Sequence, residues 1–432
     1  MPIPTRIPVV LISIGGLIPD YVLNADKYQL AIPNFRRLLA EGSYATSVKG
    51  VIPTLTYPSN TTLVTGVPPA IHGIVNNESF EPFKKHESVW YWYARDIKVP
   101  TLWDVAQENK LVTASIDWPV SVGANIDYNL PQFWLEHDPS RMEEDNIKMW
   151  QKLSSPRDIL DEAEKFIGSL DFSWTVHGDK NRTNLTVYLL KHKRVQLITV
   201  YLSSLDLQQH AEGPYTENVF TVLESIDEML GQIRIAAEEM GNRKAFICVV
   251  SDHGFTSIRK AIRLNAAFQQ ADLITLNELG KLVSWRVFAW QAHGTTAVML
   301  KDKNDNEAYQ KAKIVLETLA AEQSNGIAKI LDAHEAKEQG IFPNAIFVMG
   351  AKMDYRFIED LDGPIITKEK EFRGTHGHFP DKSGKMNAAF FAVGPGIAAK
   401  QNLGKINLVD IAPTVTALMG MELPTAEGQN IL

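Results

Sequence analysis

Cysteine is nearly absent from this chain. Cys248 is the only one in 432 residues, so no disulfide can form within it. It lies in the apolar run Ala245-Phe-Ile-Cys-Val-Val250, which marks a buried strand residue rather than a reactive thiol. Positive charge is also in deficit: 43 basic against 51 acidic residues leave a net charge of -8. That balance lacks the basic excess a nucleic-acid polymer attracts. No apolar run approaches the ~20 residues that cross a bilayer, so no membrane partner is expected. The start, Met1-Pro-Ile-Pro-Thr-Arg6, has no basic lead, long apolar stretch or small-residue cleavage site. A signal peptide is therefore not read, and a cytoplasmic location is the expectation, although a mature secreted chain would look the same. Internal repeats and low-complexity tracts are missing too.

What is present is enough apolar residue, 45% of the chain, for a large buried core in two or three units. Five short apolar runs read as buried strands of a parallel sheet: 9–14, 111–116, 197–202, 245–250 and 388–393. Helical spacing fills the gaps between them. Residues 33–41 end at Gly42, placed as a C-terminal stop glycine, and 218–240 close at Gly241. Strand followed by helix, repeated, predicts an α/β fold with a central, mostly parallel sheet and helices on both faces. Residues 262–372 read differently. Short strands (296–300, 345–349) and a helix (308–323) suggest an inserted α+β cap, with the core formed by 1–261 and 373–432. The charges of 302–307 read as a solvated turn.

Four clusters carry the chemistry, each at or just past the end of a predicted strand, the edge where open α/β sheets bind ligands. Asp206-Leu-Gln-Gln-His210 puts a carboxylate and an imidazole four apart, on one face if the segment turns helically. That pair suits a metal such as zinc. Alone it reads as well as a helix-start Asp with a surface His. Ser251-Asp252-His253-Gly254-Phe255 ends an apolar strand abruptly on two metal-capable side chains. Gly374-Thr375-His376-Gly377-His378 surrounds histidine with glycines that permit close backbone approach. His376 is the favoured ligand there; His378 reads as a group orienting a ligand or substrate, or as an ordinary loop residue. The fourth cluster runs Pro53-Thr-Leu-Thr56-Tyr57-Pro-Ser-Asn60 and on to Gly73-Ile-Val-Asn-Asn77. It places a hydroxyl just ahead of a helix start, where helix N–H groups favour negative charge. The plain alternative is a helix N-cap.

In this order the four clusters resemble the nucleotide pyrophosphatase/phosphodiesterase family of the alkaline phosphatase superfamily. Asp410-Ile-Ala-Pro-Thr-Val-Thr-Ala-Leu-Met-Gly420 resembles that family's closing helix. The resemblance implies an alkaline-phosphatase-like core that acts on small phosphate esters or nucleotides through two divalent metal ions, zinc being the expected metal. It implies Thr56 as nucleophile and Asn77 as a donor to a phosphoryl oxygen. One metal would take Asp206, His210 and His376. The other would take Asp252, His253 and an Asp after the first strand. There the chain departs from the pattern, for Gly15 has no side chain. Asp20, five residues on, belongs to an Asp-Tyr pair that the family also tends to carry. A naturally weakened second site, an altered residue, or a water completing the shell would each account for Gly15.

Two other readings stand beside this one. Val64-Thr-Gly-Val-Pro-Pro-Ala-Ile-His-Gly-Ile74 also resembles phosphonoacetate hydrolase, which cleaves a carbon–phosphorus bond. A catalytically silent metal- or phosphate-binding protein would keep the fold and one metal. The aromatic run Trp90-Tyr-Trp-Tyr93 reads as a stacking surface for a base or, equally, as core. Oligomeric state is not legible.

Overall fold

The computed structural model describes residues 7–84, 90–134 and 142–432. Its central sheet has eight strands, in the order Gln401–Asn402, Ser43–Tyr44, Phe390–Val393, Phe246–Val250, Val9–Ile14, Leu197–Leu202, Thr113–Ile116, Tyr128–Leu130. Five consecutive strands, from Phe246–Val250 to Tyr128–Leu130, run parallel. The Val9–Ile14, Leu197–Leu202 and Phe246–Val250 strands are buried at every position. A strand with both faces covered needs no polar alternation, which is why each reads as an unbroken apolar run. Cys248 lies among them, fully buried, its thiol pushed up to about 12 by burial. Phe390–Val393 corrects one expectation, because it pairs antiparallel with Phe246–Val250. An apolar run reports burial on two faces but says nothing about strand direction.

Helices cover both faces. Pro33–Glu41 and Glu217–Met240 form where the spacing places them. Gly42, however, is no left-handed stop: its backbone is extended (φ -133, ψ -165). A side chain there would sit 2.0 Å from the Ala392 carbonyl oxygen, so close approach to the neighbouring strand is what demands glycine. On the face lined by Leu11, Tyr201 and Cys248 lies the helix Thr56–Thr65, packed against the closing helix Ile411–Leu418. Every residue from Tyr57 to Thr65 is buried. Two of its threonines are satisfied by bonding back one turn, Thr61 to the Tyr57 carbonyl and Thr65 to the Thr61 carbonyl, both at 2.8 Å, while Thr62 donates to the Val67 carbonyl at 3.0 Å.

Between the core segments a four-stranded antiparallel sheet forms, in the order Val287–Ala292, Thr295–Leu300, Phe347–Ala351, Ile327–Asp332, with the helix Asn306–Ala321 packed on it. Asp305 caps that helix by accepting the Ala308 N–H and pairs with Arg286 at 2.6 Å. The charged turn is thus partly a cap and not only solvated. The tip of the first hairpin reaches the core, where the Gly294 N–H donates to the His376 carbonyl at 3.1 Å. Among the described residues, no helix is long and apolar enough to cross a membrane.

A buried charge cluster anchors the helix Ser204–Glu212. Arg182, fully buried, donates to Asp117 at 2.7 Å and Asp179 at 3.1 Å. Asp179 in turn accepts the Ser203 and Ser204 N–H groups at 3.1 and 2.9 Å. It thereby satisfies donors that a helix start leaves open and sets a negative charge at the positive end of the helix. Removing it strands Arg182 with one carboxylate fewer. Asp179→Ala is expected to destabilise the fold by about 3–5 kcal/mol, read as a lower urea midpoint at unchanged slope.

Candidate active site

Parallel strands in register finish on the same edge of a sheet. Ser13 lies opposite both Tyr201 and Val250, so the segments that follow the three strands converge. The Ser204–Glu212 helix makes Asp206 and His210 neighbours one turn apart, with Nε2 of His210 3.4 Å from Oδ2 of Asp206. Asp252 and His253 leave the end of Phe246–Val250. His376 arrives from the 374–378 loop, and Thr56 opens its buried helix as the first helical residue rather than preceding it.

The histidines are aimed by one device. His376 donates from Nδ1 to the Thr54 carbonyl (2.8 Å), His210 to the Gly374 carbonyl (3.0 Å) and His253 to the Gly254 carbonyl (3.0 Å). A carbonyl can only accept, so each Nδ1 carries the proton and each Nε2 is left with a free lone pair. Those Nε2 atoms face Asp206: His253 and His376 lie 3.8 and 3.7 Å from its Oδ1. Backbone-held imidazoles beside a carboxylate are how proteins orient metal ligands. The rings of His253 and His376 stack at 3.6 Å between centroids.

Charge is poorly compensated here. Asp206 Oδ1 is buried and has no hydrogen-bond partner among the described residues. Burial, and after it the Asp252 carboxylate, pushes the Asp206 carboxyl well above its usual range. Burial also lowers the imidazoles, His210 to about 3 and His253 and His376 in the same direction. Neutral imidazoles around an orphaned carboxylate oxygen suit a divalent cation, and Asp206, His253 and His376 bring ligand atoms within 4.8 Å of one another. Asp252 differs. Its Oδ1 accepts the Gly16 N–H (3.0 Å) and its Oδ2 the Asn60 amide (3.1 Å).

Thr56 Oγ1 lies 3.4 Å from His253 Nε2. The Asn77 side-chain oxygen accepts the Tyr57 N–H at 3.0 Å, which leaves its NH2 as the donor group beside Thr56. His378 lies outside the ring cluster. Its Nε2 donates to the Tyr355 carbonyl at 2.8 Å, and its ring fills the space over Gly294. Asp20 is engaged by Asn24 and Tyr28 and does not stand in for a side chain at Gly15.

Four residues escaped the sequence reading. Asn60 bridges the Thr56 carbonyl (2.9 Å) and Asp252; its place four residues after Thr56 on one helix was the available signal. Gln209 donates to the Gly16 carbonyl at 2.9 Å. His293, at the hairpin tip, donates to or accepts from Thr375 at 3.1 Å and has its ring centroid 5.3 Å from that of His376. Tyr201, inside an apolar run, gave no sign. Its hydroxyl lies near Thr56 and beside Gly15, where a Cβ would come within 2.6 Å of it, and burial, then the Asp252 and Asp206 carboxylates, push its pKa up.

Mouse ectonucleotide pyrophosphatase/phosphodiesterase family member 1 is 23% identical over 271 residues, covering 60% of this chain and 25% of that protein. The chain therefore spans about a quarter of that relative's length. The bovine bis(5'-adenosyl)-triphosphatase ENPP4 is 23% identical over 431 residues, covering 95% of this chain and 78% of that one. A solved structure of murine ectonucleotide pyrophosphatase/phosphodiesterase 5, an inactive variant in complex with AMP, shares the fold at a TM-score of 0.65 and 18% identity, covering 96% of both chains. The family model for type I phosphodiesterase / nucleotide pyrophosphatase matches residues 9–378, and the chain belongs to that family.

Proposed function

We propose that this chain is a metal-dependent phosphodiesterase and nucleotide pyrophosphatase that acts through a phosphorylated Thr56. The observation that carries the proposal is the aim of the three imidazoles, each fixed through Nδ1 so that Nε2 faces Asp206 beside the Thr56 hydroxyl. Asp206, His210, His253 and His376 would hold the cation, and the mix of carboxylate and imidazole favours zinc. When bound, such an ion supplies Lewis acidity, lowering the pKa of a neighbouring hydroxyl and offsetting phosphoryl charge.

Thr56 Oγ forms a bond to phosphorus while the opposite P–O bond breaks in line. Its proton passes to solvent, and the departing oxygen takes one from water. The Asn77 NH2 and the helix start at Thr56 favour the charge on the phosphoryl oxygens. Water then attacks phosphorus, restoring the Thr56 hydroxyl and releasing a phosphomonoester. A nucleotide substrate is supported by the AMP bound in the murine neighbour. Trp90, partly exposed and 5.1 Å from Tyr57 between ring centroids, would meet its organic part. Trp92, by contrast, is buried and serves the core.

A chromogenic diester tests this, with a phosphomonoester and phosphonoacetate run in parallel. Diester hydrolysis should dominate, whereas release of phosphate from phosphonoacetate alone would favour carbon–phosphorus cleavage. Thr56→Ala is expected to lower the diester rate by at least about 1,000-fold with zinc content unchanged. A variant as fast as the parent would remove Thr56 as nucleophile. Dialysis against a chelator should abolish turnover and added zinc should restore it, but not in Asp206→Ala. Full activity after chelation would end the metal assignment.

A further inference from the structure

The end of the first strand is filled by a tyrosine. Gly15 offers no ligand, and a Cβ built on it would lie 2.6 Å from the Tyr201 hydroxyl and 3.0 Å from the Asp206 Cβ. Tyr201 is drawn there by register. It lies opposite Ser13 on the neighbouring parallel strand. Side chains in register share a face, so Gly15, two residues past Ser13, points the same way. Ser13 is small, and the tyrosine ring leans past it toward the strand end, packed in the core with only 3% exposure. Its hydroxyl thus stands against Gly15, near Thr56, with the Asp252 and Asp206 carboxylates close enough to act on it.

A second cation does not fit the residues around this point. Asp252 Oδ1 already accepts two N–H groups, from Gly16 and His253, and its Oδ2 accepts the Asn60 amide, which leaves Oδ2 one lone pair for a ligand bond. His253 Nε2 is shared among Thr56, Asp206 and Asp252, at 3.4, 3.8 and 3.5 Å. With nothing from position 15, only Asp252 and a His253 shared with the Asp206 cation remain, fewer than the three protein ligands a catalytic zinc site ordinarily uses.

We propose that the Tyr201 hydroxyl takes the place of a second cation beside Thr56, so that this chain works with a single metal ion and with Tyr201 as a further catalytic residue. Tyr201 holds the Thr56 hydroxyl in line and, once Thr56 Oγ has bonded to phosphorus, donates to a phosphoryl oxygen. A fixed donor in a buried site performs this task without reorganising during the reaction. The catalytic half rests on the Thr56 phosphoryl-transfer reading; the single-ion half does not.

The test counts zinc on the purified full chain by mass spectrometry, at buffered free zinc, and measures diester hydrolysis on the same samples. The parent should hold about one zinc per chain. Tyr201→Phe keeps the ring and its packing; it should also hold about one, with its rate down about 100-fold. Gly15→Asp combined with Tyr201→Phe removes the closest contact to a side chain at position 15 and should hold about two. Two equally tight ions in the parent would overturn the single-ion site, and this result needs no variant to fold. A Tyr201→Phe rate equal to the parent's would overturn the catalytic role. If the parent hydrolyses no diester, the phosphoryl-transfer reading fails and takes the catalytic role with it. The zinc counts then still decide, without any turnover, whether Tyr201 replaces an ion.

Discussion

Two carboxylates and three imidazoles crowd one edge of a buried sheet, and the cost of burying them shapes what surrounds them. A buried carboxylate without a partner is costly, by an amount that neutral hydrogen bonds offset only in part. Asp252 is relieved by three donors, the Gly16 and His253 N–H groups and the Asn60 amide. Among the described residues, none donates to Asp206 Oδ1. The imidazoles around it are turned so that lone pairs, not protons, face it. Lone pairs facing a carboxylate are repulsive unless a positive charge lies between them. Supporting contacts extend the same theme outward. Asp179 and Arg182 pin the start of the helix that carries Asp206 and His210, and the Thr54 carbonyl holds both the His376 ring and the Gly377 N–H.

The sheet supplies the precision. Three parallel strands in register, each buried along its length, fix where their following residues emerge. A site built from such ends inherits the rigidity of the core. The helix Thr56–Thr65 gains its rigidity differently. It is buried from Tyr57 to Thr65, and Thr61 and Thr65 turn their hydroxyls back on its own carbonyls. Thr56 therefore faces the site from a support that shares one packed face with Tyr201.

Much of this was legible in the sequence because the responsible signals are local. Buried parallel strands announce themselves as apolar runs, and Val9–Ile14 and Leu197–Leu202 fall where those runs lie. Asp206 and His210 could be paired by helical spacing, and Asp252 and His253 by the abrupt end of a strand. What stayed hidden depends on partners distant in sequence. The reversed direction of Phe390–Val393 is set by its neighbour. Gly42 is needed because of Ala392, some 350 residues on. His293 meets His376 through a hairpin tip whose position no local pattern encodes. Tyr201 is the clearest case: an aromatic residue in an apolar strand reads as core, and its ring is core, while its hydroxyl reaches the site.

The adjacent glycines show how two identical residues answer to different constraints. Gly16 has a left-handed backbone, φ +68, and any Cβ would meet Gln209 and Phe255 at 2.8 Å. Both its conformation and its surroundings call for glycine. At Gly15 the backbone stays out of the left-handed region, so the chain path itself would accept a side chain. What crowds one is space, taken first by the Tyr201 hydroxyl at 2.6 Å and then by the Asp206 Cβ at 3.0 Å. The two features are therefore coupled. A carboxylate at position 15 and the present position of Tyr201 exclude each other. A side chain at that one position would be felt first by Tyr201 and Asp206.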